Sequence, residues 1–233
     1  MMESDITQKP EKDSKDIAQS LAKATISSIP CIGGATGELF SLVVTPSLEK
    51  RRDEWIENIA KKLIELERKI GDFEIGKLKN NDLFVSILTQ ATFSAIKCHQ
   101  KEKREALRNA VLNSALSGAP EEDLQIMFIN VVDSLTSLHV KVMTNIYKLT
   151  TKSQLSNGTT PPLKPDIIFG ELKNRKSLCK QILSQLDSMG LIEFKSIWTD
   201  DDVKSIRFST DVMTDLGKEF LKFITSPLDN GGN

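Results

Sequence analysis

Hydrophobic positions recur at helical spacing along most of the chain. Over residues 50–70, Ile56, Ile59, Leu63, Leu66 and Ile70 follow one another at steps of 3, 4, 3 and 4, with Lys, Arg and Glu filling the other faces. That pattern predicts an amphipathic helix, ended by Gly71 and Gly76. The steps are those of a coiled coil but last only two heptads, so packing inside a bundle is the expected use, with self-association through residues 55–70 as a secondary expectation. A long helix is predicted from an N-cap at Asn81 or Asp82 to Gly118, with Leu83, Phe84, Ile87, Leu88, Ala91, Ala95 and Cys98 on one stripe and Leu107, Val111 and Leu112 continuing it. The polar run over 99–105 marks an exposed mid-section or an interruption of that helix. Pro120 suits the first turn of another helix, whose Glu121, Glu122 and Asp123 sit at the positive dipole end and whose Leu124, Phe128, Val131, Val132 and Leu135 face inward. Thr136 or Ser137 caps a last helix to about Lys148. Consecutive amphipathic helices of this kind predict a helical bundle, with Ile56, Leu63, Leu66, Leu88, Phe128 and Val132 in its core.

The pattern changes after residue 150. Residues 151–164 contain Ser, Asn, Gly, Thr, Pro161 and Pro162 with few large apolar residues, which predicts a linker and a domain boundary. Beyond it come a helix through Leu172, Leu178, Ile182, Leu183 and Leu186 that stops at Gly190, two alternating segments joined by Asp200, Asp201 and Asp202, and a closing helix over 214–224. The expected fold class is therefore mainly α: a helical bundle over 17–150, then a small winged-helix-like domain over 165–225 with a two-stranded hairpin. Residues 1–16, with five acids, three bases and no apolar run, are expected to be a disordered tail, as are 226–233.

One segment fits neither half. Between Ala24 and Leu48 the only charge is Glu38, and the stretch carries Pro30, Gly33, Gly34, Gly37 and Pro46. It is long enough to cross a bilayer core, and Lys50, Arg51 and Arg52 after it would suit an anionic lipid surface. Only about half of it is apolar, however, and its prolines and glycines break a continuous helix, whereas a stable span needs roughly 20 mainly apolar residues. A buried hairpin or broken helix is expected in the resting protein, with Ile32, Gly33, Gly34, Gly37, Leu39, Phe40, Leu42, Val43 and Val44 as the candidate segment for membrane or partner contact on activation.

Composition narrows the function classes. The 233 residues include 31 Lys+Arg against 32 Asp+Glu and 39% hydrophobic residues, values of an ordinary globular chain long enough to build a core without disulfides or metal. A balance this even excludes binding of nucleic acid by bulk positive charge. Cys31, Cys98 and Cys179 are odd in number and far apart, and the N-terminus has no secretory or mitochondrial pattern, so a cytoplasmic protein is expected, peripheral at the inner membrane if activated.

Catalytic templates fail in turn. The run from Gly33 to Glu38 lacks the Lys-Ser/Thr of a phosphate loop. His99 and His139 have no metal spacing with cysteines or acids, and adjacent helical residues point about 100° apart, so Cys98 and His99 do not share a proton. The three aspartates lack the Gly-then-Glu continuation of a calcium loop. No catalytic residue, metal or cofactor is expected. Lys173, Arg175, Lys176 and Lys180 are the candidate nucleic-acid contacts, but residues 164–226 hold ten basic and ten acidic residues. A DNA-contacting winged helix is positive on its reading face, so nucleic acid stands behind protein contact.

Four stretches taken in order carry a family resemblance: Ile29-Pro30-Cys31-Ile32-Gly33-Gly34; Glu49-Lys50-Arg51-Arg52-Asp53-Glu54-Trp55; Met127-Phe128-Ile129-Asn130 through Ser134-Leu135-Thr136-Ser137-Leu138-His139; and Met189-Gly190-Leu191-Ile192 through Leu216-Gly217-Lys218-Glu219-Phe220-Leu221. This layout resembles the Abi-alpha family of bacterial proteins associated with abortive infection and phage defence. The resemblance implies a non-enzymatic, cytoplasmic or membrane-peripheral protein that acts through partners, and it supplies no catalytic residues; a protein partner encoded at the same locus is a separate expectation. A winged-helix transcriptional regulator and a structural scaffold subunit are the alternative expectations.

Overall fold

A computed structural model describes residues 16–17, 20, 45–154, 168–193 and 212–229. The candidate segment over 32–44, residues 1–15 and 230–233 of the expected tails 1–16 and 226–233, the proline-containing stretch over 155–165 and the expected hairpin over 194–211 lie outside them; within the second tail Leu228 is buried and its carbonyl accepts from Lys69 Nζ at 3.3 Å. The protein is mainly helical. In chain order the described elements are α1 (Thr45–Lys69), α2 (Ile75–Leu78), α3 (Asp82–Lys97), α4 (Lys101–Ser114), α5 (Glu122–Ser134), α6 (Ser137–Gln154), a 3-10 turn (Gly170–Asn174), α7 (Lys176–Ser188) and α8 (Asp215–Ile224).

The chain forms two compact units, Met1–Lys97 with Leu228–Asn233, and Cys98–Pro227. In the first, the predicted stripe of α1 is buried from Ile56 through Ile59 and Leu63 to Leu66, which are 0–4% exposed, while Ile70, just past the helix end, is half-buried. α1 and α3 pack antiparallel, since Trp55 Nε1 donates to Thr92 Oγ1 at 3.0 Å and, one turn earlier on α1, Arg51 Nη1 donates to the Ile96 carbonyl at 3.3 Å. The Thr92 hydroxyl in turn donates to Leu88 O at 2.7 Å, so the buried indole N–H and the hydroxyl are both satisfied. Asn81 is the N-cap of α3, its Oδ1 accepting from Phe84 N at 2.9 Å.

In the second unit α4 is the central helix, contacted by α5, α6 and α8. Leu107, Ala110, Val111 and Leu112 are fully buried there, facing a core that includes Phe128, Ile129, Val132, Val142, Met143 and Ile146. Phe128 meets Phe220 edge-on, with centroids 5.4 Å apart and planes at 65°, and meets Phe223 at 5.7 Å. The closing helix therefore shares a core with residues 98–150. The compact units divide between Lys97 and Cys98, not in the 151–164 stretch where composition placed a boundary.

Several helix bounds differ from the periodicity. The helix predicted over 81–118 is two helices, because Gln100 takes an extended backbone (φ −73°, ψ 120°) as N-cap of α4. Its side chain Oε1 meanwhile accepts from Ser137 N, at the start of α6, at 3.2 Å. α5 begins at Glu122, after Pro120 instead of on it, and Gln125 Nε2 donates to the Pro120 carbonyl at 2.7 Å. α6 continues to Gln154, through the first four residues of the predicted linker. Thr150 and Thr151 fit that last stretch because each hydroxyl donates back to Tyr147 O at 2.9 Å. The helix predicted through Leu172 and Leu186 is broken at Arg175 (φ −94°, ψ 64°), which separates the 3-10 turn from α7. On the two sides of 194–211 one antiparallel bridge pairs Ile192 with Met213, and Glu193 N donates to Val212 O at 2.8 Å.

Candidate functional site

In the second unit a polar construction forms where α7 ends and α8 begins. Met189 is the C-cap of α7, and Gly190 follows with φ +69°, a left-handed conformation that costs an L side chain about 1–2 kcal/mol. Leu191 N donates to Leu186 O at 3.0 Å and Gly190 N to Asp187 O at 2.8 Å, the paired bonds of a Schellman stop, with Leu186 and Leu191 both buried. Twenty-four residues on, Thr214 caps α8: its Oγ1 accepts from Gly217 N at 2.9 Å and donates to Gly190 O at 2.6 Å. A Cβ on Gly217 would lie 2.0 Å from the Leu191 carbonyl oxygen and 2.9 Å from Met213 Sδ. Both glycines of the terminal sequence motif are thus explained by backbone geometry: Gly190 by its positive φ, Gly217 by the close approach of another strand of backbone.

The far end of α8 is held by two asparagines four residues apart on α4. Asn109 Nδ2 donates to Ile224 O at 3.0 Å, and Asn113 Nδ2 lies 2.8 Å from both Phe223 O and Thr225 O. Terminal helix carbonyls have no intrahelical donor, and these amides supply it in a place where Asn109 is only 8% exposed. Sequence reading missed this pair. Its signal was two residues of low helix propensity at i and i+4 in the middle of the apolar face of Ala106, Leu107, Ala110 and Val111.

His139 joins α6 to α7. Its Nδ1 lies 3.3 Å from Thr136 N and 2.8 Å from Thr136 Oγ1, and its Nε2 lies 2.6 Å from Gln185 Oε1. The Thr136 amide can only donate, so Nδ1 accepts and the ring proton belongs on Nε2, directed at Gln185. His139 thereby takes the position of Glu or Gln in a capping box, reaching back to the N-cap amide. Nearby, Lys141 Nζ pairs with Glu102 at 2.8 Å, and this ammonium holds the Glu102 carboxyl below its ordinary value. Lys103 Nζ donates to the Asp133 carbonyl at the end of α5.

The predicted site residues fall into three groups. Ile32, Gly33, Gly34, Gly37, Leu39, Phe40, Leu42, Val43 and Val44 lie outside the described residues. The basic flank is engaged within its own unit: Lys50 Nζ is 3.8 Å from Glu54, Arg52 is 2.9 Å from Asp53, and Arg51 bonds the end of α3. Of the candidate nucleic-acid contacts, Arg175, Lys176 and Lys180 are exposed around the first turns of α7; Lys173 is in the 3-10 turn, and its side chain lies outside the described residues.

Both cysteines among the described residues contact backbone carbonyls. Burial pushes the Cys179 thiol above its ordinary range, and its Sγ donates to Leu172 O at 3.3 Å, tying α7 to the 3-10 turn. Cys98 is half-buried with Sγ 3.7 Å from Gln100 O, while His99 beside it is exposed. Among the described residues no group of three His, Cys, Asp or Glu side chains is placed to hold a metal ion. No single helix among them is long and apolar enough to cross a membrane; α5 and α6 pass together but bend by 117°. No protein-family model, curated protein or solved structure matches the chain.

Proposed function

We propose that this chain is a non-enzymatic bacterial defence protein of the abortive-infection type, acting through contact with a protein partner or, on activation, with the membrane. One observation carries the reading. Among the described residues, His139, one of the two histidines weighed for chemistry, holds the start of α6, while the polar side chains of Asn109 and Asn113 hold the end of α8 and that of Thr214 its start. What is left to distinguish the chain is its nearly uncharged segment over 24–48, together with the order of motifs that resembles the Abi-alpha family. The 165–225 region is a winged-helix-like module in this reading, supported by the helix stop at Gly190, the Ile192 to Met213 bridge and the capped closing helix.

Phage plating on cells carrying the native locus tests the assignment: deletion of the gene should lower protection, and unchanged plating across a broad phage panel refutes it. Leu42→Asp and Gly34→Asp test the segment, since a carboxylate is expensive in hydrocarbon or at a dry interface. Lost protection with an unchanged melting curve supports a contact role; loss of both places those residues in the core. Liposome flotation with the locus partner present then separates membrane from protein contact.

The exposed Arg175, Lys176 and Lys180 favour a second reading, a DNA-binding regulator. Charge balance in the region argues against it, and the full chain is expected to bind duplex DNA weakly and without sequence preference at physiological salt. Submicromolar, sequence-selective binding in a titration would reverse the order of the two readings.

A further inference from the structure

We draw no further inference here: the strongest candidate, the exposed apolar side chains of Ile126 and Met127 on α5 and of Tyr147 on α6, carries nothing because nothing in the structure shows what covers them.

Discussion

Replacing Gly217 by Ala sets two effects of known size against each other. Helix propensity alone favours the substitution: Gly217 is inside the first turn of α8, and Ala is better than Gly in a helix by about 1 kcal/mol. Packing opposes it. The added methyl would sit 2.0 Å from Leu191 O and 2.9 Å from Leu191 C, both backbone atoms of the segment fixed by the Schellman stop, so no flexible side chain can simply turn away. Relieving that contact means moving α8 off Leu191. The move weakens the Thr214 bonds to Gly217 N and Gly190 O and disturbs the Phe128, Phe220 and Phe223 cluster. Overpacking costs about 1–3 kcal/mol and a lost N-cap about 1 kcal/mol, which leaves a net destabilisation of about 1–3 kcal/mol after the propensity gain. With a urea slope of about 2 kcal/mol per M, the midpoint of the melt followed by circular dichroism falls by about 0.5–1.5 M. Gly76→Ala is the matched control, because Gly76 is also helical, has an ordinary φ and has nothing within 4 Å of its Cβ position; it should be neutral or slightly stabilising. A Gly217→Ala protein as stable as the parent, or more stable, would show that the Leu191 approach is not a real constraint.

Three further outcomes are expected. Asn113→Ala strips a donor from the end of α8 and should destabilise by about 1–3 kcal/mol; the Asn109→Ala, Asn113→Ala double variant should lose less than the sum in urea melts, because both amides serve one helix end. Cys179 should stay unlabelled by a maleimide at pH 7.5 in the native protein and react in denaturant, as read by peptide mass spectrometry, since its thiol is buried and its ionisation suppressed; rapid native labelling would contradict this. The Glu102 carboxyl is held below its ordinary 4.5 by Lys141, so its contribution is present above that value and disappears as pH falls through the lowered one. The small stability deficit of Glu102→Gln at pH 6 should therefore shrink at pH 3, and a deficit that is equal at both would remove the ion pair as its cause.

Faces were legible in the sequence; partners were not. The 3, 4, 3, 4 spacing located Ile56, Ile59, Leu63 and Leu66 because a helix must bury its apolar stripe whatever it packs against. Asn81, Gly190 and Thr214 were readable for a similar reason, since capping and left-handed backbone select residue types locally. That α4 would receive α8 depended on amides reaching carbonyls 110 and 115 residues away, a choice that periodicity does not encode. The break between α3 and α4 was one of two readings of the polar run over 99–105; what stayed hidden was that Gln100 caps α4 while its side chain serves the start of α6.

The same distinction bears on what the terminal motif can mean. Gly190 and Gly217 answer steric demands, the first a helix stop with left-handed backbone and the second the close approach of a helix to the Leu191 carbonyl. A motif with that origin selects an architecture and is silent on chemistry. The low-charge run over 24–48 is different in kind, because no helix stop or cap requires twenty-five residues with a single carboxylate. Burial or contact would each keep charge out of it, whereas the outer face of α1 is charged throughout, Lys61 pairing with Glu57 and Lys69 with Glu65. The charge content of that segment is therefore where a functional constraint should first be sought, and the aspartate substitutions at Gly34 and Leu42 act on that property directly.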